Sequence, residues 1–182
     1  MTDGQRFEAF VLAHQDMVFA TAVRLLGRAA EAEDIAQTAF LKAWEQFAAL
    51  RDNPAASGWL KTVTTNLCLN HLSRYRSRWS FFSELARTDS AGGDTVEFAA
   101  GIASPESPAD EFERADERAR LAHAVRELPA HQRVPIVLFH FDQWSYEEIA
   151  ARLGVSVGKV KTDIHRGRLA LKAVLGSVDG PR

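Results

Sequence analysis

The segment from Trp144 to Leu171, WSYEEIAARLGVSVGKVKTDIHRGRLAL, leaves the chain little choice of local fold. It reads as a short amphipathic helix, a turn centred on Gly154, and a second helix with a cationic polar face. Ile149, Ala150 and Leu153 fall on one face of the first helix, and Val155, Val160 and Ile164 are expected to face back toward a core. The second helix then turns Lys159, Lys161, Thr162, His165, Arg166 and Arg168 outward, where they can meet phosphates or base edges in a DNA groove. Two packed helices with a solvated charged face would share the cations alone. The small Ala150, the glycine turn and the cation cluster in one window favour the DNA-entering helix-turn-helix.

Helical spacing also dominates what precedes it. Phe10, Val11, Val18, Phe19, Val23 and Leu26 suggest a first helix that stops at Gly27. EAEDIAQTAFLKAWEQF follows, with Ile35, Ala39 and Leu41 at three- and four-residue spacings and Phe40 and Trp44 on a neighbouring stripe. Its acids Glu31, Glu33 and Asp34 fall in the first turns, where the helix dipole favours them. After a break at RDNPAASG, the stretch WLKTVTTNLCLNHLSRYRSR aligns Trp59, Leu60, Val63, Leu67 and Leu72 and loads its far end with Arg74, Arg76 and Arg78. From about Ser80 to Asp110 the pattern dissolves into Ser, Gly, Ala, Pro and acids, the composition of a mobile tether. A second helical block starts near Phe112, and Pro129 opens the helix that runs into the helix-turn-helix. The fold class expected is all-α: a helical domain over 1–79, a flexible acidic linker over 80–111, and a second helical domain over 112–178.

A chain of 182 residues, 46% hydrophobic, can supply cores for one or two small domains. Its net charge of −2 conceals a segregation. Ser83 to Glu117 holds ten acids against two arginines, −8, which leaves +6 for the remainder. Such an acidic stretch between basic ones can repel nucleic acid or imitate its charge. The apolar run near Val134 to Phe139 contains Pro135 and is too short for a bilayer, and the N-terminus lacks a signal pattern. A cytoplasmic location without membrane insertion is the expectation. Cys68, the one cysteine, cannot form an internal disulfide, and with His71 it makes a lone pair of ligand types that no second pair completes. No metal and no cofactor are expected. Nor is an enzyme: Glu147 and Glu148 are adjacent and point to different helix faces, and neither a Ser-His-Asp order nor a phosphate loop is present.

Taken in order, three blocks resemble the extracytoplasmic-function group of bacterial sigma factors, the dissociable promoter-recognition subunits of RNA polymerase. EAEDIAQTAFLKAW resembles that family's region-two core helix, GWLKTVTTNLCLNHLSR its promoter-melting helix, and LPAHQRVPIVLFHFDQWSYEEIAARLGVSVGKVKTDIHRGRLAL its region four. The small size and the absence of a substantial middle domain point to this compact group. The resemblance implies that the first domain docks on the clamp helices of the largest polymerase subunit through Asp34, Gln37, Phe40, Leu41 and Trp44. It also implies opening of the minus-10 element, with a flipped base held by the loop Leu50 to Gly58. Asn66 matches a position that reads the unpaired strand, and Asn70 lies one turn on. Lys61, Arg74 and Arg76 would hold the strand's phosphates.

By the same resemblance the second domain reads the minus-35 element in the major groove through Lys161, Thr162, His165 and Arg166, with Leu138 and Phe139 either touching the polymerase flap or serving as core. Lys159 stands where the family usually has Thr, Asp163 adds a carboxylate, and Gly167 replaces a customary Ala at about 1 kcal/mol of helix propensity. The acidic linker would thread toward the polymerase cleft and RNA exit path, and an anti-sigma factor is an expected partner. Two other classes stay open at this point. A one-component regulator would dimerise on palindromic half-sites, and the sequence offers no heptad seam for that. A decoy that titrates an anti-sigma factor would be expected to lose the basic recognition face and Arg74 to Arg78, which this chain keeps.

Overall fold

Thr2 and Gly27 bracket the first helix for local reasons. The Thr2 hydroxyl accepts from the Gln5 amide while the Gln5 side chain accepts from the Thr2 amide, closing a capping box; Gly27, at φ 77°, takes the left-handed conformation that ends the helix. The computed structural model describes residues 2–73 and 108–176. Helix α1 (Asp3–Leu26) is followed by α2 (Ala29–Glu45), the single turn α3 (Phe47–Leu50) and α4 (Ala56–Ser73). The C-terminal half contains α5 (Pro108–Glu127), α6 (Ala130–His140), α7 (Tyr146–Leu153) and α8 (Val157–Gly176). Among the described residues there is no strand, so the all-helical expectation holds. The acidic tether expected over 80–111 lies outside the described residues except for its last four, which open α5.

Apolar residues gather in two clusters. One is confined to the N-terminal half: Phe10 and Val18 of α1 meet Ala39 and Ala43 of α2, Phe47 and Leu50 of α3, and Leu60 of α4. Phe7 packs edge-on to Phe47 with ring centroids 5.0 Å apart, and Phe10 meets the same ring at 5.6 Å. The other cluster is shared between the halves. Ala22 and Leu25 of α1, Ile35 of α2 and Cys68 of α4 join Val125 of α5, Val134 and Leu138 of α6, Ile149 of α7 and Ile164 of α8. By length and composition α1 could cross a bilayer, its apolar window reaching a mean hydropathy of 1.3. No such helix was expected from the sequence; its apolar residues feed both clusters instead.

Arg133, only 8% exposed in an otherwise apolar stretch of α6, explains how the halves are joined. Its Nε donates to the carbonyl of Leu25 at 3.1 Å and Nη2 to that of Leu26 at 2.8 Å. Nη1 donates to the carbonyls of Leu128 at 2.7 Å and Arg126 at 3.2 Å. The guanidinium thus satisfies the unpaired carbonyls at two helix C-termini, where the dipoles favour a cation. A Cβ at Gly27 would stand 2.8 Å from the Arg133 guanidinium carbon, so glycine is required there both by its φ and by this approach.

The helix-turn-helix core differs from expectation at two positions. Val160 and Ile164 are buried as expected, but Val155, in the turn, is 39% exposed. Gly167 is not simply a helix-propensity loss: a Cβ there would lie 2.2 Å from Cδ1 of buried Ile136, and the missing side chain is what lets α8 approach α6. Leu138 is core, while Phe139 is half-buried and stacks on Tyr146 with centroids 4.7 Å apart.

Candidate nucleic-acid interface

A second capping box sets up the helix-turn-helix. Ser145 Oγ accepts from the Glu148 amide at 3.2 Å, and Glu148 Oε2 accepts from the Ser145 amide at 2.8 Å and its hydroxyl at 2.9 Å. These Ser145 backbone and side-chain hydrogen bonds hold the Glu148 carboxyl below its ordinary pKa. Gly154, at φ 67°, ends α7 with its amide on the Ala150 carbonyl at 2.8 Å, and Ser156 Oγ receives the Lys159 amide at 3.1 Å to start α8. Ile149, Ala150, Val160 and Ile164 then fix the angle between the two helices by packing on α6.

On α8 the structure sorts the six expected DNA-contacting residues into two groups. Lys161 and Thr162 are exposed and His165 and Arg166 half-buried, at positions that repeat every four residues and form one strip. Lys161 Nζ lies 5.6 Å from the Tyr146 ring centroid, and Thr162 Oγ1 donates to the Gly158 carbonyl at 2.9 Å. Lys159 and Arg168 depart from the outward orientation expected of them. Lys159 is engaged by Asp163, which is buried, so the carboxylate expected to confront phosphates is turned inward and neutralised. Arg168 leans on α6, its Nε donating to His140 Nε2 at 3.2 Å and its guanidinium lying 5.6 Å from the Phe139 ring centroid. Burial, and then the Arg168 charge, pull the His140 pKa below its ordinary value. Burial also lowers His131, with Asp163 opposing and Lys159 and Arg166 reinforcing.

On α4, Asn66 and Asn70 are both exposed, one turn apart. Asn70 is not free: its Oδ1 accepts from Arg152 Nη2 at 2.9 Å. Lys61, half-buried, donates to the Phe141 carbonyl at 2.9 Å and pairs with Asp142 at 2.9 Å. Arg74 and Arg76 lie outside the described residues. In the span from Leu50 to Gly58, Leu50 is core, Asn53 Oδ1 accepts the Ala55 amide at 2.9 Å in a tight turn, and α4 has already begun at Ala56. Cys68 is buried, and that burial pushes its thiol up to about 12. His71 Nε2 stands 3.3 Å from Glu31.

The residues expected at the polymerase surface are on α2. Asp34 and Gln37 are exposed, Leu41 is 66% and Trp44 48% exposed, and Phe40 is half-buried against the N-terminal cluster. Trp44 is therefore neither core nor free, since it packs edge-on to Phe7 at 4.9 Å while leaving much of its ring uncovered. An apolar strip beside carboxylates suits a protein partner with basic side chains around an apolar ridge. Sequence reasoning missed Thr65, Arg133, Asp142 and Arg152, all of which work between the two halves.

Residues 10–78 match the family model of sigma-70 region 2, and residues 118–171 that of sigma-70 region 4. The ECF RNA polymerase sigma factor SigW of Bacillus subtilis is 32% identical over 173 residues, 95% of this chain and 90% of that protein. The RNA polymerase sigma-H factor of Pseudomonas aeruginosa is 31% identical over 176 residues, 95% of this chain and 88% of that protein. Among solved structures, the sigma factor RpoE in complex with the anti-sigma factor NepR from Bartonella quintana aligns over 96% of this chain and 98% of that one. Its sequence identity is 25% and its TM-score 0.47.

Proposed function

The chain belongs to the ECF RNA polymerase sigma factors, and from that premise we propose how its surfaces divide the work of starting transcription. The protein binds core RNA polymerase and gives it promoter recognition and duplex melting. Residues 1–79 act as region two. In that unit Asp34, Gln37, Phe40, Leu41 and Trp44 meet the clamp helices of the largest subunit, and Lys61, Asn66, Asn70, Arg74 and Arg76 take the opened minus-10 strand. Residues 112–178 act as region four, where Lys161, Thr162, His165 and Arg166 read the minus-35 element and Lys159 and Arg168 serve packing more than contact. Residues 80–111 tether the two. The protein makes and breaks no bonds itself, works in the cytoplasm, and is held in check by an anti-sigma partner.

The observation that carries this reading is the strip of Lys161, Thr162, His165 and Arg166 on the second helix of the helix-turn-helix, in one chain with an exposed Asn66 on α4. Arg166 offers a bidentate fork to guanine, and the Asn66 amide can donate to and accept from one base edge. Melting without ATP needs the second kind of contact, because bases leaving the stack must be trapped as they leave. Run-off transcription from a promoter library with core polymerase, with and without the protein, tests it. Starts that depend on the protein and share paired motifs near minus-35 and minus-10 are expected, and Asn66→Ala should erode the minus-10 motif alone. Binding to duplex DNA without any gain of starts would instead make the chain a regulator.

A further inference from the structure

We propose that the packed arrangement of the two halves is an autoinhibited state, in which Asp142 sits as an internal anion on the part of α4 that would hold a strand phosphate. The inference rests on the assignment of α4 to the promoter strand and adds a regulation to it.

The Asp142 side chain is only 5% exposed, and its two oxygens divide between successive turns of α4. Oδ1 meets Lys61 Nζ at 2.9 Å, and Oδ2 accepts from Thr65 Oγ1 at 3.2 Å. Lys61 also donates to the Phe141 carbonyl at 2.9 Å, and the Arg24 guanidinium carbon lies 4.2 Å from the Phe141 ring centroid. An ammonium and a hydroxyl four residues apart, converging on two oxygens of one anion, is the chemistry by which proteins hold a phosphate. Thr65 is therefore a strand-contacting residue in its own right. At the next turn Arg152 reaches across and takes Asn70 Oδ1 at 2.9 Å. Positions 61, 65 and 70 are all engaged by the α6–α7 connection or by α7, while Asn66 between them is left exposed. A DNA strand and Asp142 cannot occupy the same two donors, so strand binding and closure compete and each must lower the apparent affinity of the other.

The test uses the full chain without polymerase. Small-angle X-ray scattering reads closure, and fluorescence anisotropy with a short labelled single strand of mixed sequence reads access to α4. Asp142→Asn should bind the strand about five-fold or more tightly than the unaltered protein, with a larger radius of gyration. The charge swap Lys61→Asp with Asp142→Lys should return to the compact dimension without regaining strand binding. Equal strand affinity and equal dimensions for the unaltered protein and Asp142→Asn would overturn the proposal. Should Asp142→Asn lose its helical circular dichroism, Arg152→Ala serves instead, and its failure to raise strand affinity counts equally against closure. Run-off transcription separates the two layers. Loss of starts with Lys61→Ala, beside unchanged strand affinity in Asp142→Asn, leaves the promoter reading standing and removes the autoinhibition. No starts from the unaltered protein removes both.

Discussion

The two apolar clusters contain similar side chains and do opposite jobs. The cluster around Phe10, Phe47 and Leu60 draws, among the described residues, on α1 to α4 alone and includes aromatics packed edge to face. The cluster around Leu25, Cys68, Leu138 and Ile164 draws on every long helix of both halves and carries the buried guanidinium of Arg133 at its margin. The first makes a self-sufficient scaffold behind the α2 surface. The second makes the far ends of α1 and α4 depend on whether the C-terminal half is docked. A protein that must present one surface steadily and uncover another on demand is served by that division.

A pair of cavities tests the division most directly. Leu60 and Leu138 are both fully buried, and truncating either to Ala should cost about 3 kcal/mol. Hydrogen exchange should nevertheless differ. Leu60→Ala is expected to raise exchange in α2, α3 and the adjoining parts of α1 and α4, leaving α6 to α8 protected. Leu138→Ala should raise it in α6 to α8 and, with them, in the last turns of α1 and α4. An effect of Leu138→Ala that stops at Pro129 would dissolve the idea of a shared cluster.

A smaller change sharpens the contrast by staying local. Ser145→Ala removes the cap of α7 and should cost about 1 kcal/mol, lowering the urea midpoint. NMR titration should find the Glu148 carboxyl moving only part of the way back toward its ordinary range, because the hydroxyl is lost while the residue-145 amide still donates to it. An unmoved Glu148 would mean that the Ser145 hydroxyl adds nothing to what the backbone amide already does.

The weakest lever is pH. Burial lowers both His131 and His140 from 6.5, so the unfolded chain takes up protons more readily than the folded one and stability rises with pH in this window. Their contribution is complete above 6.5 and is lost as pH falls below it toward the folded values. Both residues sit on α6, so acid should loosen the shared cluster first. Urea midpoints should fall on acidification below 6.5, and less steeply in His140→Gln. A midpoint that rises on acidification would reverse the sign and exclude buried neutral histidines.

Legibility in the sequence followed the range of the interaction. Gly27 and Gly154 act within a turn of themselves, so composition and spacing were enough to place those helix ends. Val160 and Ile164 obeyed helical periodicity, whereas Val155 did not, because a turn residue has no helical face to obey. The Lys159 and Asp163 pair was within reach, since opposite charges four apart on a helix meet. What could not be read is whatever depends on elements distant in sequence: Asp142 against Lys61 and Thr65 and Arg152 against Asn70 need the halves docked, and Gly167 against Ile136 needs α8 packed on α6. One signal for docking was present, a lone arginine before the apolar run VPIVLF. A charge so placed needs partners that come from elsewhere in the fold.

Those partners, in the case of Arg133, are carbonyl oxygens from Leu25, Leu26, Arg126 and Leu128. Every residue type carries a carbonyl, so the joint is blind to the identity of the side chains opposite it. Mutational scanning should therefore find the two sides sensitive for different reasons. Substitutions at Leu25 or Leu26 would be felt through packing, while Arg133 and the helix-ending Gly27 would tolerate almost nothing. In the last turn of α1, side chains therefore answer to the shared core through Leu25 and Leu26, while the joint with Arg133 asks only that the helix stop where it does.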